Sequence, residues 1–497
     1  MSAATEAPRV DHEVGIIGAG FGGIIAALHL KRAGRNSFVV FERAAEPGGV
    51  WRENIYPGCA CDIRSHLYSI AAQPNPGWSS TFASQPEILQ YLKDVLSRND
   101  LQGHLRYGVE VTTATFLEQE ACWQLIDQNG SHCFVRTLIV ATGSHNRPLM
   151  PAFPGQDRFA GAIFHSSSWD ASAPLEKKRV AVVGTGASAI QIIPNIASSV
   201  AHLDVFQRTS AWILPRGDRA ITAFERLLFK HVPLIQKLER GLIYWLLEFF
   251  GLGFHGNEFM NRLMAKTALR KLAAEVRDPA VRLKLTPRYK LGCKRIVVSD
   301  DFFPTFNRPN VRLVTETIQE ITPSGILATD GKHYDTDVII FATGFIVTEM
   351  KGYMQIVGKN GRVLNQEWDA NGMEAFFGIH VSGYPNLALL MGPNSGLGHS
   401  SVLHVMESQI QYILSWLREL DRVGQRSYFD VRPQRQQQYN ADLQARLRKT
   451  VWAAGCKSWY LDRDGRNSTV FPGLTYQYRK ATANFHAEDY DQVRNAT

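Results

Sequence analysis

No two cysteines in this chain stand at the CxxC spacing of a structural zinc site. The six present, at 59, 61, 122, 133, 293 and 456, are too few and too scattered over 497 residues to make a disulfide framework. Cys59 and Cys61 are separated by a single residue, which strains a disulfide ring, so they are expected to be passive loop residues and not a redox pair. A dense Lys/Arg tract is also missing. The 54 Lys and Arg against 46 Asp and Glu leave a formal charge of +8, too diffuse for a nucleic-acid partner but suited to polyanionic cofactors. No apolar run is long enough to span a bilayer, and the most apolar stretch, 241–254, carries Glu248 in its middle. The segment Met1–Asp11 lacks the apolar core of a signal peptide, so a cytoplasmic location is expected.

What the chain does have is strand-turn-helix punctuation, given twice. A chain of this length exceeds one compact core. It opens with a strand at 13–17, a glycine turn, a helical run ending near Gly34, and a second strand at 37–42. A loop-rich region rich in Gly, Pro and Asn follows at 47–76 and reads as neither helix nor strand. A strand at 137–140 runs into Ala141-Thr142-Gly143, and a Pro-rich passage at 148–154 reads as a crossover. A second unit starts with a strand at 179–183, and the strand-into-Ala-Thr-Gly pattern recurs at 338–344. These signals predict an α/β fold with two Rossmann-like dinucleotide-binding domains, the second nested in the first. The first takes 1–147 and 345–497, the second 148–344. Within the second, 217–288 carries Leu, Phe, Ile and Trp at helical spacing among Lys and Arg, and is predicted to be a helical insertion. Helices packed on the core are the expected arrangement, with a substrate lid or a membrane-surface patch as the alternative.

The first turn reads Gly18-Ala-Gly20-Phe21-Gly-Gly23. Its first glycine makes the tight turn, its second lets the backbone approach a pyrophosphate, and its third lets helix and strand pack closely. The N–H groups and the positive end of the helix then bind phosphate. Glu42, about 20 residues beyond Gly23, is placed to accept hydrogen bonds from ribose hydroxyls, with Arg43 beside it. The second turn reads Gly184-Thr-Gly186-Ala-Ser188-Ala189, with alanine in third place. Its second strand ends Val205-Phe-Gln207-Arg208-Thr209, where the first has Val40-Phe-Glu42-Arg43. A carboxylate there would repel a 2′-phosphate, whereas Arg208 would pair with one, so NADPH is expected at the second site and FAD at the first.

The segment Phe159-Ala-Gly161-Ala-Ile-Phe-His165-Ser-Ser-Ser-Trp169-Asp170 resembles the FxGxxxHxxxW(P/D) fingerprint of type I Baeyer–Villiger monooxygenases. Further patterns of that family stand at Gly48-Gly-Val-Trp51 through Asp62, at Gly292-Cys-Lys294-Arg295, and at Ser458-Trp459-Tyr460. The resemblance implies NADPH- and O2-dependent oxidation of a ketone to an ester or lactone through a C4a-peroxyflavin. The related flavin monooxygenases that oxygenate nitrogen or sulfur are the alternative. It also implies residue roles. Arg295 would be the catalytic cation and Asp62 the acid that holds it. Lys294 would join Arg208 on the 2′-phosphate, and Trp459 would order onto NADP+. Trp51, Tyr68 and Phe21 would lie on the flavin side, and Ser188 and Thr209 on the NADPH side. His165 would sit at the junction between the domains. The identity of the ketone and the oligomeric state are not implied by these motifs.

Overall fold

The computed structural model describes residues 9–349 and 354–495. Strand β1 (His12–Ile17), helix α1 (Phe21–Arg32) and strand β2 (Phe38–Glu42) form the opening unit. Nearly every side chain of α1 is buried, because the helix lies between the sheet and the long helix Val402–Val423. The loop-rich stretch is not wholly irregular. It contains a single helical turn, α2 (Val50–Glu53), and precedes α3 (Gln85–Arg98).

Strand β3 (Leu105–Tyr107) adds in parallel to β2. Strands β4 (Val111–Leu117), β5 (Cys122–Asp127) and β6 (His132–Val140) form an antiparallel meander, and β6 then pairs in parallel with β1. The strand expected at 137–140 is therefore longer, since its first half is the last leg of the meander. Strands Gln355–Val357 and Leu387–Leu389 return to this sheet, beside β4 and the second half of β6. The second sheet is parallel throughout. Its order is Val311–Val314, β9 (His202–Phe206), β8 (Arg179–Val183), Val338–Phe341, β7 (Ala162–His165), and α4 (Ala189–Ile196) follows the second glycine turn. All its strands lie between those of the first sheet in sequence, so one Rossmann-like unit is nested in the other.

The two turns are built alike. Gly18 has φ +102° and a Cβ there would sit 2.8 Å from the Ala141 carbonyl oxygen; Gly184 has φ +119° and would meet the Ala342 oxygen at 2.4 Å. Each Ala-Thr-Gly thus ends the strand that closes on a glycine turn, which is why the tripeptide occurs twice. A Cβ on Gly23 would lie 1.9 Å from the Gly18 oxygen, so α1 can start this close only without a side chain. Gly23→Ala is expected to give protein that purifies without yellow colour, because the turn must open; flavin absorbance equal to the parent's in that variant would contradict this.

The insertion consists of α5 (Ala223–His231), α6 (Pro233–Gly251), α7 (Glu258–Glu275) and α8 (Pro279–Leu285). Local chemistry sets these boundaries. Thr222 and Glu225 form a reciprocal capping box on α5, Pro233 opens α6, and Asn257 and Asp278 cap α7 and α8. No described helix is long and apolar enough to cross a membrane.

Several histidines are enclosed by this packing. Burial lowers His380, set edge-on against Trp416, to about 3 and His66 to about 4. Both are neutral in the folded protein near neutral pH, whereas the unfolded chain protonates them near the ordinary value of about 6.5. Protons therefore favour the unfolded state from about pH 6.5 down to about pH 4, with a slope of about 1.4 kcal/mol per pH unit for each. Thermal melts are expected to fall steadily over that window, and a transition temperature flat from pH 6.5 to about 4.5 would count against it.

Candidate active site

The flavin-side wall grows out of the first glycine turn. Phe21, the first residue of α1, meets the Tyr68 ring edge-on at 5.2 Å, and the Trp51 indole N–H donates to the Tyr68 hydroxyl at 3.1 Å. Glu42 is buried at the end of β2. One of its oxygens accepts from the Ala19 N–H at 2.8 Å, and the other accepts from Ala44 N–H at 3.0 Å and Arg52 at 3.2 Å. The carboxylate therefore braces the turn itself. Arg43 points away, half-exposed, toward Glu53 at 3.4 Å. The backbone at Gly20 faces only the Gly49 Cα, at 3.7 Å from a built Cβ, and Gly186 in the second turn has nothing within 4 Å. Both second glycines thus present open backbone, the shape a pyrophosphate needs.

Arg295 and Asp62 meet on this wall. The guanidinium donates to the Asp62 carboxylate at 2.5 Å, across 233 positions of sequence. The Asp62 charge, offset in part by burial, holds the Arg295 pKa above its ordinary value. Both charges act on the Tyr68 hydroxyl, and the same guanidinium acts on the buried Tyr460.

Two further residues stand here that sequence reasoning missed. The His145 ring lies edge-on to Trp459 at 5.4 Å and to Phe345 at 5.4 Å, and Phe345 in turn meets His165 at 5.7 Å. An aromatic chain thus runs from the fingerprint histidine to Trp459. The His145 side chain is exposed to solvent, yet crowding by protein atoms first, and the Arg295 charge second, lower its pKa to about 4. The ring is neutral at neutral pH. The two crossings between units run side by side here: Leu149 N–H donates to the Gly344 oxygen at 2.8 Å, and Ile346 N–H to the Arg147 oxygen at 3.0 Å. His165 accepts from Ser167 N–H at 3.1 Å, and its Nε2 faces the Gly344 backbone without reaching hydrogen-bond geometry.

The second glycine turn adjoins a cationic cavity of about 730 Å³. Gln207, Arg208, Thr209, Lys294 and Lys457 line it, and no Asp or Glu does. Burial first, and the Arg208 charge second, lower the Lys294 pKa, as expected for two cations with no anion between them. Gln207 donates to the Lys284 carbonyl at 2.8 Å, so the residue in the Glu42 position carries no charge and is turned aside. The Thr209 carbonyl accepts from Thr185 at 3.1 Å, and Ser188 at the start of α4 reaches the Tyr56 hydroxyl. The long loop of the first unit thus closes on the second motif. Tyr56 also donates to Gln191 at 3.1 Å, and the close approach of Gly58 leaves no room for a side chain against Asn195.

Among the cysteines, Cys293 and Cys456 form a disulfide. Spacing gave no hint of it, because 163 residues separate the pair. The bond fixes the Lys294-Arg295 segment to the one that carries Trp459. Cys59 and Cys61 are free and buried.

Two glycine turns, each after a strand paired in parallel with its neighbours, a neutral residue and cations at the second, and an Arg–Asp pair define a flavoprotein oxidoreductase of the two-nucleotide type. Comparison narrows the class. Residues 11–349 match the FMO-like family, described as flavin-binding monooxygenase-like. A Baeyer–Villiger monooxygenase of Streptomyces coelicolor is 43% identical over 486 residues, 97% of this chain and 93% of that protein. Among solved structures, cyclohexanone monooxygenase from Rhodococcus sp. Phi1 bound to NADP+ superimposes with a TM-score of 0.87 at 28% identity, covering 99% of this chain and 100% of that one. OTEMO in complex with FAD and NADP gives 0.86 at 28% identity, covering 98% and 100%. The chain belongs to the flavin-binding monooxygenase-like family, among its Baeyer–Villiger monooxygenases.

Proposed function

We infer that this protein oxidises ketones to esters or lactones, with FAD as resident cofactor and with NADPH and O2 as co-substrates. One oxygen atom of O2 enters between the carbonyl carbon and a neighbouring carbon. The other leaves as water, and NADPH supplies the two electrons. The observation that carries this reading is the Arg295–Asp62 pair, 2.5 Å apart on the wall that Phe21, Trp51 and Tyr68 build beside the first glycine turn.

FAD, reduced by NADPH, supplies the activation of O2. The residues of the chain do the rest by position and charge. Gly18, Gly20 and Gly23 would hold the pyrophosphate of FAD, with Glu42 keeping their turn in shape. Gly184, Gly186 and Ser188 take the pyrophosphate of NADPH, and Arg208 and Lys294 its 2′-phosphate, with Thr209 beside them. The Arg295 guanidinium stays charged in a recess that Trp459 and Tyr460 help to close, and it stabilises negative charge developing at the reacting oxygen. Asp62 holds and orients Arg295. His145, neutral and edge-on to both Trp459 and Phe345, positions the Trp459 ring.

The test is a panel of cyclic, linear and aromatic ketones together with one thioether. NADPH use, ester or sulfoxide formation and hydrogen peroxide release are all measured. Ester or lactone from at least one ketone, coupled to NADPH use, is the expected result. Sulfoxide from the thioether with no ester from any ketone would overturn the reading.

A further inference from the structure

Helix α6 has one face without a partner in the fold. Leu234, Leu238, Leu242, Trp245 and Phe249 recur every three or four residues along it, and each is between 53% and 70% exposed. Such a stripe normally faces a core. Phe224 and Leu227 of α5, which packs against α6, and Phe259 and Leu263 of α7 are exposed as well. Surfaces of this kind mark contact sites. The opposite face of α6 is fully engaged. Gln236 donates to the Asn75 carbonyl at 2.7 Å, Arg240 to the Ser69 carbonyl at 2.9 Å, and Glu248 pairs with His399 at 3.1 Å. The helix is thus held rigidly over the loop that carries Asp62 and Tyr68, with its apolar side outward.

Charge selects the occupant. Lys230, Lys237, Arg262, Lys266 and Arg270 are exposed on the same three helices, and none is in an ion pair among the described residues. The acids of these helices are spoken for: Glu225 pairs with Arg219, Glu275 with Lys271, Glu258 with Lys290, and Glu248 is buried. Glu239, half-buried, faces His66 at 3.9 Å. The outward surface is therefore apolar with an uncompensated cationic rim. A second copy of the chain across a two-fold axis would set these cations against their own images. An anionic bilayer answers both properties, with acyl chains for the stripe and lipid phosphates for the rim. No described helix is long and apolar enough to cross, so the geometry is that of helices lying in the interface.

We propose that α5, α6 and α7 form a docking surface for anionic phospholipid membranes, with α6 lying in the plane of the headgroups. The reading stands apart from the oxygenation reaction, since binding is measured with neither ketone nor NADPH present.

The test uses the FAD-loaded full chain and two kinds of vesicle, pure phosphatidylcholine and an equal mixture of phosphatidylcholine with phosphatidylglycerol. Sedimentation with the mixed vesicles is expected to exceed that with the neutral ones by about tenfold or more, and to weaken as salt is raised. The double variant Leu238→Glu, Leu242→Glu should lower binding by about tenfold or more. Lys230→Glu, Lys237→Glu should lower it only on the anionic vesicles. All substituted side chains are exposed, so flavin absorbance and the melting temperature should match those of the parent. Three results would overturn the proposal: no sedimentation with either vesicle, equal binding to both, or binding untouched by the leucine substitutions. Ultracentrifugation adds a fourth. A concentration-dependent dimer that the leucine substitutions abolish, with no vesicle binding, would assign the surface to a second copy.

Discussion

Arg295→Ala is expected to keep FAD bound, to go on consuming NADPH and O2, and to make ester about a hundred- to a thousandfold more slowly. The electrons then leave as hydrogen peroxide. The argument is one of placement. A fixed cation at the point where negative charge develops contributes about 3–4 kcal/mol to the transition state, and it costs no reorganisation when the reaction occurs. Arginine suits the place because its guanidinium stays ionised in a partly closed recess, and Asp62 at 2.5 Å strengthens that state. FAD retention should survive because the glycine turn, Glu42 and the Phe21–Tyr68–Trp51 wall are untouched. Arg295→Lys should recover part of the ester yield, since the charge returns without its two-pronged geometry. Asp62→Asn should fall between the two, because it loosens the arginine without removing it. Ester formation in Arg295→Ala at the parent rate would remove the residue from the chemistry.

How much of this was legible before the structure depends on whether the constraint was local. The glycine turns were, because Gly18, Gly23 and Gly184 each occupy a place where a Cβ would strike backbone within the same unit. The Ala-Thr-Gly repeats were visible as repeats, and the structure supplies their cause in the contacts with Gly18 and Gly184. The capping residues of the insertion likewise fix helix ends that periodicity left vague. Arg295 and Asp62 were legible only through resemblance, since nothing in either neighbourhood says that they meet across 233 positions. His145, Phe345 and the Cys293–Cys456 bond were not legible at all. Each depends on how distant stretches of the chain come together, which is a property of the assembled fold. The face of α6 is a mixed case. Its period is plain in the sequence, and a period ordinarily means packing, but which side finds partners was decided by Glu248, Arg240 and Gln236 reaching His399, Ser69 and Asn75.

Arg208→Ala is expected to raise the KM for NADPH by about 30- to 150-fold while leaving the KM for NADH within about twofold. The two nucleotides differ only in the 2′-phosphate, a dianion near neutral pH. A charge-assisted hydrogen bond to such a group is worth about 2–3 kcal/mol, which converts to that ratio. NADH presents a hydroxyl at the same point and loses little. The cavity favours this assignment because it is cationic without an internal anion: no carboxylate lines it, Gln207 stands where the first unit has Glu42, and Lys294 is already depressed by burial and by the Arg208 charge. A bound phosphate would relieve that repulsion. Lys294→Ala should therefore also weaken NADPH, and the double variant should lose less than the sum of the two, because each cation removed spares the other its repulsion. Gln207→Glu is the converse change. It restores the charge the first unit carries, and should push the preference toward NADH by repelling the phosphate. Equal effects of Arg208→Ala on both nucleotides would mean that the arginine acts on the shared part of the cofactor, and the basis of the NADPH preference would then have to lie with Lys294 alone.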